Sequence, residues 1–107
     1  MTKIERGSGN VLVDLGIENA EDLTAKIQLA VAINRIIQGR HLKQVQIAKL
    51  LGIPQPKVSG LLNYKLDGFS VERLMNFLVA LDRDVEIRIR KKPKSREAAR
   101  LRVAAHG

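Results

Sequence analysis

The stretch from Gln44 to Asn63 constrains the fold more than any other part of the chain. Two short runs with apolar residues at helical spacing flank Gly52, which tolerates the positive φ angle of a tight turn. In the second run Val58, Leu61 and Leu62 fall at i, i+3 and i+4 and form one inward-facing stripe. The stretch therefore predicts two short helices joined by a glycine turn. That is the plan of a DNA-binding helix-turn-helix, and also of an ordinary helical hairpin inside a bundle.

The outward face of the second predicted helix carries polar, basic or small side chains. Glutamine and asparagine amides can hydrogen-bond adenine edges, lysine can reach guanine or phosphate, and glycine allows close backbone approach. Polar and basic side chains before and after this helix suit phosphate contacts, which position a protein without specifying sequence. The residues that we predict to face the major groove are Gln55, Pro56, Lys57, Ser59, Gly60 and Asn63. Those that we predict to grip phosphates are Lys43, Gln44 and Lys65.

Positive charge is concentrated in two parts of the 107-residue chain, whose net charge is +8. Residues 34–83 hold eight basic and three acidic residues, and residues 90–107 hold seven basic and one acidic. A polyanionic partner such as DNA fits this distribution, although surface charge kept for solubility also explains it.

The sequence contains no constellation of residues typical of an enzyme or a metal site. The chain has no cysteine, which excludes disulfides and thiolate ligands. Neither His41 nor His106 has a companion ligand at a useful spacing. We therefore expect no enzymatic activity, no metal and no cofactor.

The rest of the sequence predicts a disordered start at residues 1–9, a helical domain at 10–90 and a basic flexible tail at 91–107. Residues 10–15 favour a short helical turn, with a β-strand as the alternative. A long helix from Asn19 to about Gln38, whose apolar face Asn34 interrupts, and another from Ser70 to about Asp82 complete a mainly α bundle of four to five helices. No apolar run approaches the roughly 20 residues of a membrane span, and no signal peptide is visible, so we expect a cytoplasmic protein.

Between Asp84 and Arg90 the periodicity changes from helical to two, because apolar and charged residues alternate. This pattern predicts a half-buried C-terminal β-strand with Val85, Ile87 and Ile89 on its apolar side. A lone strand cannot satisfy its backbone hydrogen bonds, so it needs a partner. A second copy across a two-fold axis is one source, which predicts a homodimer, and the sheet edge of another protein is the other.

The stretch Gln44–Asn63 also resembles the helix-turn-helix of the Cro and lambda-repressor superfamily, called the xenobiotic-response-element family. That family favours Gln at the first place, Ala at the fifth, Gly at the ninth, and branched apolar residues at the fifteenth and eighteenth. These places hold Gln44, Ala48, Gly52, Val58 and Leu61. Lys43 and Pro54 depart from the pattern, because they stand where the family usually has a capping side chain worth about 1 kcal/mol.

A wider similarity, over about residues 8–90, is to HigA-type antitoxins. It rests on the segments Ser8–Gly16, Gln55–Leu62, Gly68–Leu74 and Leu81–Ile87. The resemblance implies a small dimeric repressor that neutralises a RelE-like ribosome-dependent ribonuclease toxin and represses its own operon. Two-fold pairing of two copies predicts that the double-stranded DNA operator is palindromic. The alternatives are a toxin-binding module with secondary DNA binding, a repressor without a toxin, and a basic protein that coats nucleic acid through its tail.

Overall fold

The computed structural model describes residues 18–105. They form four α-helices, which are α1 (Glu18–Gly39), α2 (Gln44–Leu51), α3 (Gln55–Leu62) and α4 (Val71–Ala80). Helix α1 packs against α4 and α2 packs against α3, with smaller contacts between the two pairs. The predicted mainly helical fold is confirmed over these residues, whereas the helical turn predicted at residues 10–15 lies outside them. No helix in the described part is long and apolar enough to cross a membrane.

The core is built mainly from aliphatic side chains contributed by all four helices. Ile33 of α1, Ile47 of α2, Leu61 of α3 and Leu74 of α4 are each fully buried. Burying a side chain of this size contributes about 1.5–3 kcal/mol to stability. Because α2 and α3 have only eight residues each and such short helices do not persist alone in water, this shared core is what keeps them helical.

The turn between α2 and α3 depends on Gly52, whose φ is 68°. The N–H groups of Gly52 and Ile53 both donate to the carbonyl of Ala48, at 2.9 and 3.1 Å, and so close the end of α2. Ile53 is buried beneath the turn. The predicted glycine turn is therefore confirmed.

The other three helices are followed by left-handed residues that are not glycine. His41, Tyr64 and Asp82 have φ angles of 54°, 59° and 65°, a conformation that is unfavourable for residues with a Cβ. Arg40 joins the ends of α1 and α4, since its guanidinium donates to the Leu81 carbonyl and lies 3.9 Å from the Asp82 carboxylate.

The β-strand predicted at Asp84–Arg90 is absent from the structure of the single chain, and this part of the prediction needs correction. Residues 83–93 have no regular secondary structure. Ile87 and Ile89 are 74% and 94% exposed, whereas Val85 packs, partly buried, against the chain's own core. The physical reason is that the described chain contains no second strand to receive the backbone hydrogen bonds of this segment.

The end of the basic tail lies against α1. The backbone N–H of Val103 donates to Gln28 Oε1 at 2.9 Å, and that of Leu101 points to Glu21 Oε2 at 3.4 Å. The Val103 side chain packs, partly buried, against the core. These contacts use backbone and apolar groups of the tail, so arginines such as Arg100 remain exposed.

Replacing Gly52 with alanine is expected to destabilise the protein by about 1 kcal/mol, because alanine is strained at positive φ. Apart from the neighbouring backbone, no atom lies within 4 Å of a Cβ added at this position, so contacts with the rest of the protein would not contribute. Gly39→Ala is the matched control, since its surroundings are equally open but its φ is not left-handed. Alanine there should leave stability unchanged or raise it by up to about 1 kcal/mol. Urea unfolding followed by circular dichroism measures the free energy of unfolding of both variants. Equal changes in the two variants would contradict the conclusion that the positive φ of position 52 requires glycine.

Candidate nucleic-acid interface

Helix α3 has one buried side and one open side. Val58 and Leu61 are fully buried, while Gln55, Pro56 and Lys57 are exposed in its first turn. The first three residues predicted to face the major groove therefore lie on the solvent side of α3, and the opposite side of the helix is buried in the core.

The start of α3 has no side-chain cap. Pro54 occupies the N-cap position with extended backbone, and its carbonyl accepts the N–H groups of Lys57 and Val58 at 2.9 and 3.2 Å. Pro56 lies in the first turn, where the missing N–H removes no helical hydrogen bond. The absence of a cap predicted at Pro54 is confirmed, and the two prolines limit the backbone conformations open to this helix start.

The start of α2 is capped by a residue that the sequence interpretation missed. Lys43 is the N-cap residue, and its ammonium cannot accept a hydrogen bond. Instead the backbone N–H of Lys43 donates to Gln46 Oε1 at 2.8 Å. A glutamine three residues after the N-cap is half of the capping-box pattern and was a usable signal. Because Gln46 stabilises the helix start, Lys43 and Gln44 keep exposed side chains that are free for other contacts.

The end of α3 and the following turn form one connected patch. Asn63 Nδ2 donates to the Ser59 carbonyl at 2.9 Å, and the Lys65 N–H donates to the Gly60 carbonyl at 2.8 Å. This bond uses one of the two hydrogens of Nδ2, so it leaves the second N–H and the Oδ1 acceptor of Asn63 for another partner. A Cβ at Gly60 would lie 3.6 Å from the nearest atom, the Lys65 carbonyl oxygen. This is an ordinary contact, so the fold itself does not require glycine at position 60.

Lys57 lies beside the loop that precedes α4. Its ammonium is 5.5 Å from the ring centroid of Phe69, and the Arg73 guanidinium is 5.8 Å from the same ring and 5.7 Å from that of Phe77. Two cations therefore lie near one aromatic ring, whose π-electrons attract positive charge. Arg73 was missed in the sequence, although its spacing of four residues from Phe77 on α4 is a recognisable sign of such a contact.

The stretch of sequence that contains α2 and α3 is rich in positive charge. Residues 34–66 contain six basic residues and no acidic one. A second concentration of positive charge lies in the tail, where the charges of Arg96 and Arg102 lower the pKa of Arg100, with a smaller effect from Arg90. Within residues 18–105, no group of three or more histidine or acidic side chains is placed to hold a metal ion.

Comparisons with known proteins agree with this geometry. The model of the family described as "Helix-turn-helix domain" (HTH_37) matches residues 11–90. A solved structure named "Putative XRE Family Transcriptional Regulator" has a TM-score of 0.79 and 59% sequence identity, and the match covers 82% of this chain and 99% of that chain. A comparison with curated proteins finds no match. The chain therefore belongs to the XRE family of helix-turn-helix proteins.

Proposed function

We propose that the protein is a transcriptional repressor that binds a specific sequence of double-stranded DNA through α3. The open face of this helix carries the proposal, because it presents Gln55 and Lys57 opposite the buried Val58 and Leu61. An α-helix fits the major groove of B-DNA, where amide and cationic side chains distinguish base pairs. The similar solved structure is also named as a transcriptional regulator.

The residues of the open surface take different roles in this proposal. Gln55 hydrogen-bonds a base edge, and Lys57 contacts guanine or phosphate. Gly60 lets the helix backbone approach the groove, which explains a glycine that internal packing does not require. Lys43, Gln44 and Lys65 contact phosphates. We add Arg73 to this group, because Arg73 and Lys57 both lie near the Phe69 ring.

The Gln55→Ala variant is expected to bind its operator about 1–3 kcal/mol more weakly, because it loses a base contact. Its affinity for scrambled DNA of equal length should not change. Fluorescence anisotropy with labelled DNA from upstream of the gene measures both. Asn76→Ala, which removes an exposed amide from α4, is the matched control and should bind like the wild type. Equal wild-type affinity for upstream and scrambled DNA at physiological salt would instead support coating of nucleic acid without sequence preference.

We propose further that the repressor is a homodimer that pairs through residues 84–90. The support is the alternation of the segment and the exposure of Ile87 and Ile89 in the single chain, at 74% and 94%. A strand from a second copy would supply the hydrogen-bond partner that the described chain lacks. Two-fold pairing implies a palindromic operator with half-sites about one helical turn, roughly 34 Å, apart.

The Ile89→Lys variant is expected to shift the protein from dimer to monomer, because it places a charge in the paired apolar face. Light scattering coupled to size exclusion measures the mass. Val79→Lys is the control, since Val79 is a 56% exposed apolar residue on α4, outside the segment. A wild-type protein that is monomeric at the concentrations at which it binds operator would exclude this pairing.

A second candidate function is that of an autoregulatory antitoxin that captures a RelE-like toxin. The structural observation in its favour is an apolar strip on α1, where Leu23 and Ile27 lie one turn apart and are 51% and 41% exposed. The resemblance to HigA-type antitoxins over residues 8–90 is the other support. Co-expression with the neighbouring open reading frame, followed by affinity capture of this chain, is the test. Absence of a small toxin among the neighbours, or of a complex, leaves a repressor without a toxin.

A further inference from the structure

Gly68 lies in the loop between α3 and α4, beside the side chain of Lys57. A Cβ added at Gly68 would lie 2.6 Å from Lys57 Nζ and 4.0 Å from Lys57 Cε, and apart from the adjoining residues no other atom lies within 4 Å of it. The φ of Gly68 is not left-handed, so the backbone does not require glycine there. The missing side chain at position 68 therefore leaves room for the ammonium group of Lys57.

Phe69 forms a second side of the space that Lys57 occupies. The ammonium lies 5.5 Å from the centroid of the ring, whose π-electrons attract a cation. Phe69 is buried, and its ring packs edge-on against Phe77 at 5.7 Å between centroids. A fixed ring and an open glycine thus favour one position for a side chain that would otherwise sample many rotamers. Such preorganisation lowers the entropy lost when the side chain binds a ligand.

The charge of Lys57 is available to a ligand. Within residues 18–105 its ammonium forms neither a hydrogen bond nor an ion pair. Arg73 brings a second cation to the Phe69 ring, at 5.8 Å. Two cations at the margin of the α3 surface suit the phosphates, because phosphates form the walls of the major groove and base edges form its floor.

We propose that Gly68 and Phe69 are positioning residues that hold Lys57 in place to contact the phosphate backbone of bound DNA. Lys57 then contributes to affinity for any DNA and not to the choice of sequence, which is left to residues such as Gln55. This inference rests on the proposed function, because it selects one of the two contacts, with guanine or with phosphate, that the chemistry of lysine allows there.

The Lys57→Met variant removes the charge and keeps an apolar side chain over Phe69. It should weaken binding to operator and to scrambled DNA by the same factor, about three- to tenfold at physiological salt. The slope of log affinity against log salt, measured by fluorescence anisotropy between about 50 and 200 mM salt, should become shallower by about 1. Lys26→Met is the control, since it removes the same charge from α1, outside the proposed surface, and should leave the slope unchanged.

Two results of this comparison would overturn the phosphate contact. A larger loss on operator than on scrambled DNA would show that Lys57 reads a base. Unchanged affinity and salt slope would show that Lys57 only covers the Phe69 ring.

Gly68→Ala tests the positioning role. The added Cβ takes the place of the ammonium, and the flexible end of the lysine can move aside, so circular dichroism should show a folded protein of nearly unchanged stability. Binding to both DNAs should weaken, by at most the factor found for Lys57→Met. Added to Lys57→Met, Gly68→Ala should have no further effect, because no ammonium remains to be displaced. An equal loss in both backgrounds, or no loss in either, would overturn the positioning role.

The wild-type protein separates this inference from the proposed function. If the wild type prefers the operator and all three variants bind as it does, the role of Lys57 alone is overturned. If the wild type binds neither DNA, the proposed function and this inference are overturned together.

Discussion

The burial of Val58 and Leu61 on the inner side of α3 is the interaction on which the open surface depends. Helix α3 has eight residues, starts at Pro54 without a side-chain cap, and contains Gly60. A missing cap costs about 1 kcal/mol and an interior glycine about as much, whereas each buried valine or leucine contributes about 1.5–3 kcal/mol. Burial therefore outweighs the weak local preference for helix. The outward residues need not stabilise the helix and are free to serve recognition.

The elements that could be predicted are those in which a residue's environment follows from its neighbours in sequence. Apolar residues at helical spacing identified all four helices, and Gly52 identified the turn. Ser70 was predicted to begin the last helix, and it is the N-cap residue of α4, whose hydroxyl accepts the Arg73 N–H at 3.0 Å. Whether residues 84–90 form a strand could not be predicted from their own sequence. A strand requires a partner strand, which the pattern of one segment does not specify.

The open face of α3 was also predictable, but the contacts of its side chains were not. The exposure of Gln55 and Lys57 follows from their position opposite Val58. That Lys57 lies over Phe69, twelve residues later, depends on the path of the intervening turn. The hydrogen bond that Gln46 accepts could have been predicted, because Gln46 lies three residues after Lys43. The family resemblance instead assigned a role to Gln44.

The distribution of positive charge also favours binding of a polyanion by the open surface and by the tail. Residues 34–66 carry no acidic side chain, and in the tail the repulsion among guanidinium groups is strong enough to lower the pKa of Arg100. Like charges held close together oppose the compact state unless an anion neutralises them. A phosphate backbone would supply that neutralisation, and screening over about 8 Å at physiological ionic strength keeps the effect local to each region.

Three departures from the ordinary rules of folding, at Asn34, His41 and Tyr64, lie around an open cavity where the end of α1 meets the end of α3. Two others, the left-handed Asp82 and the buried, unpaired Arg83 Nε, follow α4. Leaving a buried amide unpaired, as at Asn34, costs about 1–3 kcal/mol, and a left-handed residue that is not glycine costs about 1–3 kcal/mol. His41 and Tyr64, which line the cavity with Asn34, are two such residues. A leucine at position 34 and glycines at the two turns would satisfy the fold better. Folding requirements alone therefore do not explain this set of residues, and sites of this kind are where proteins commonly place function.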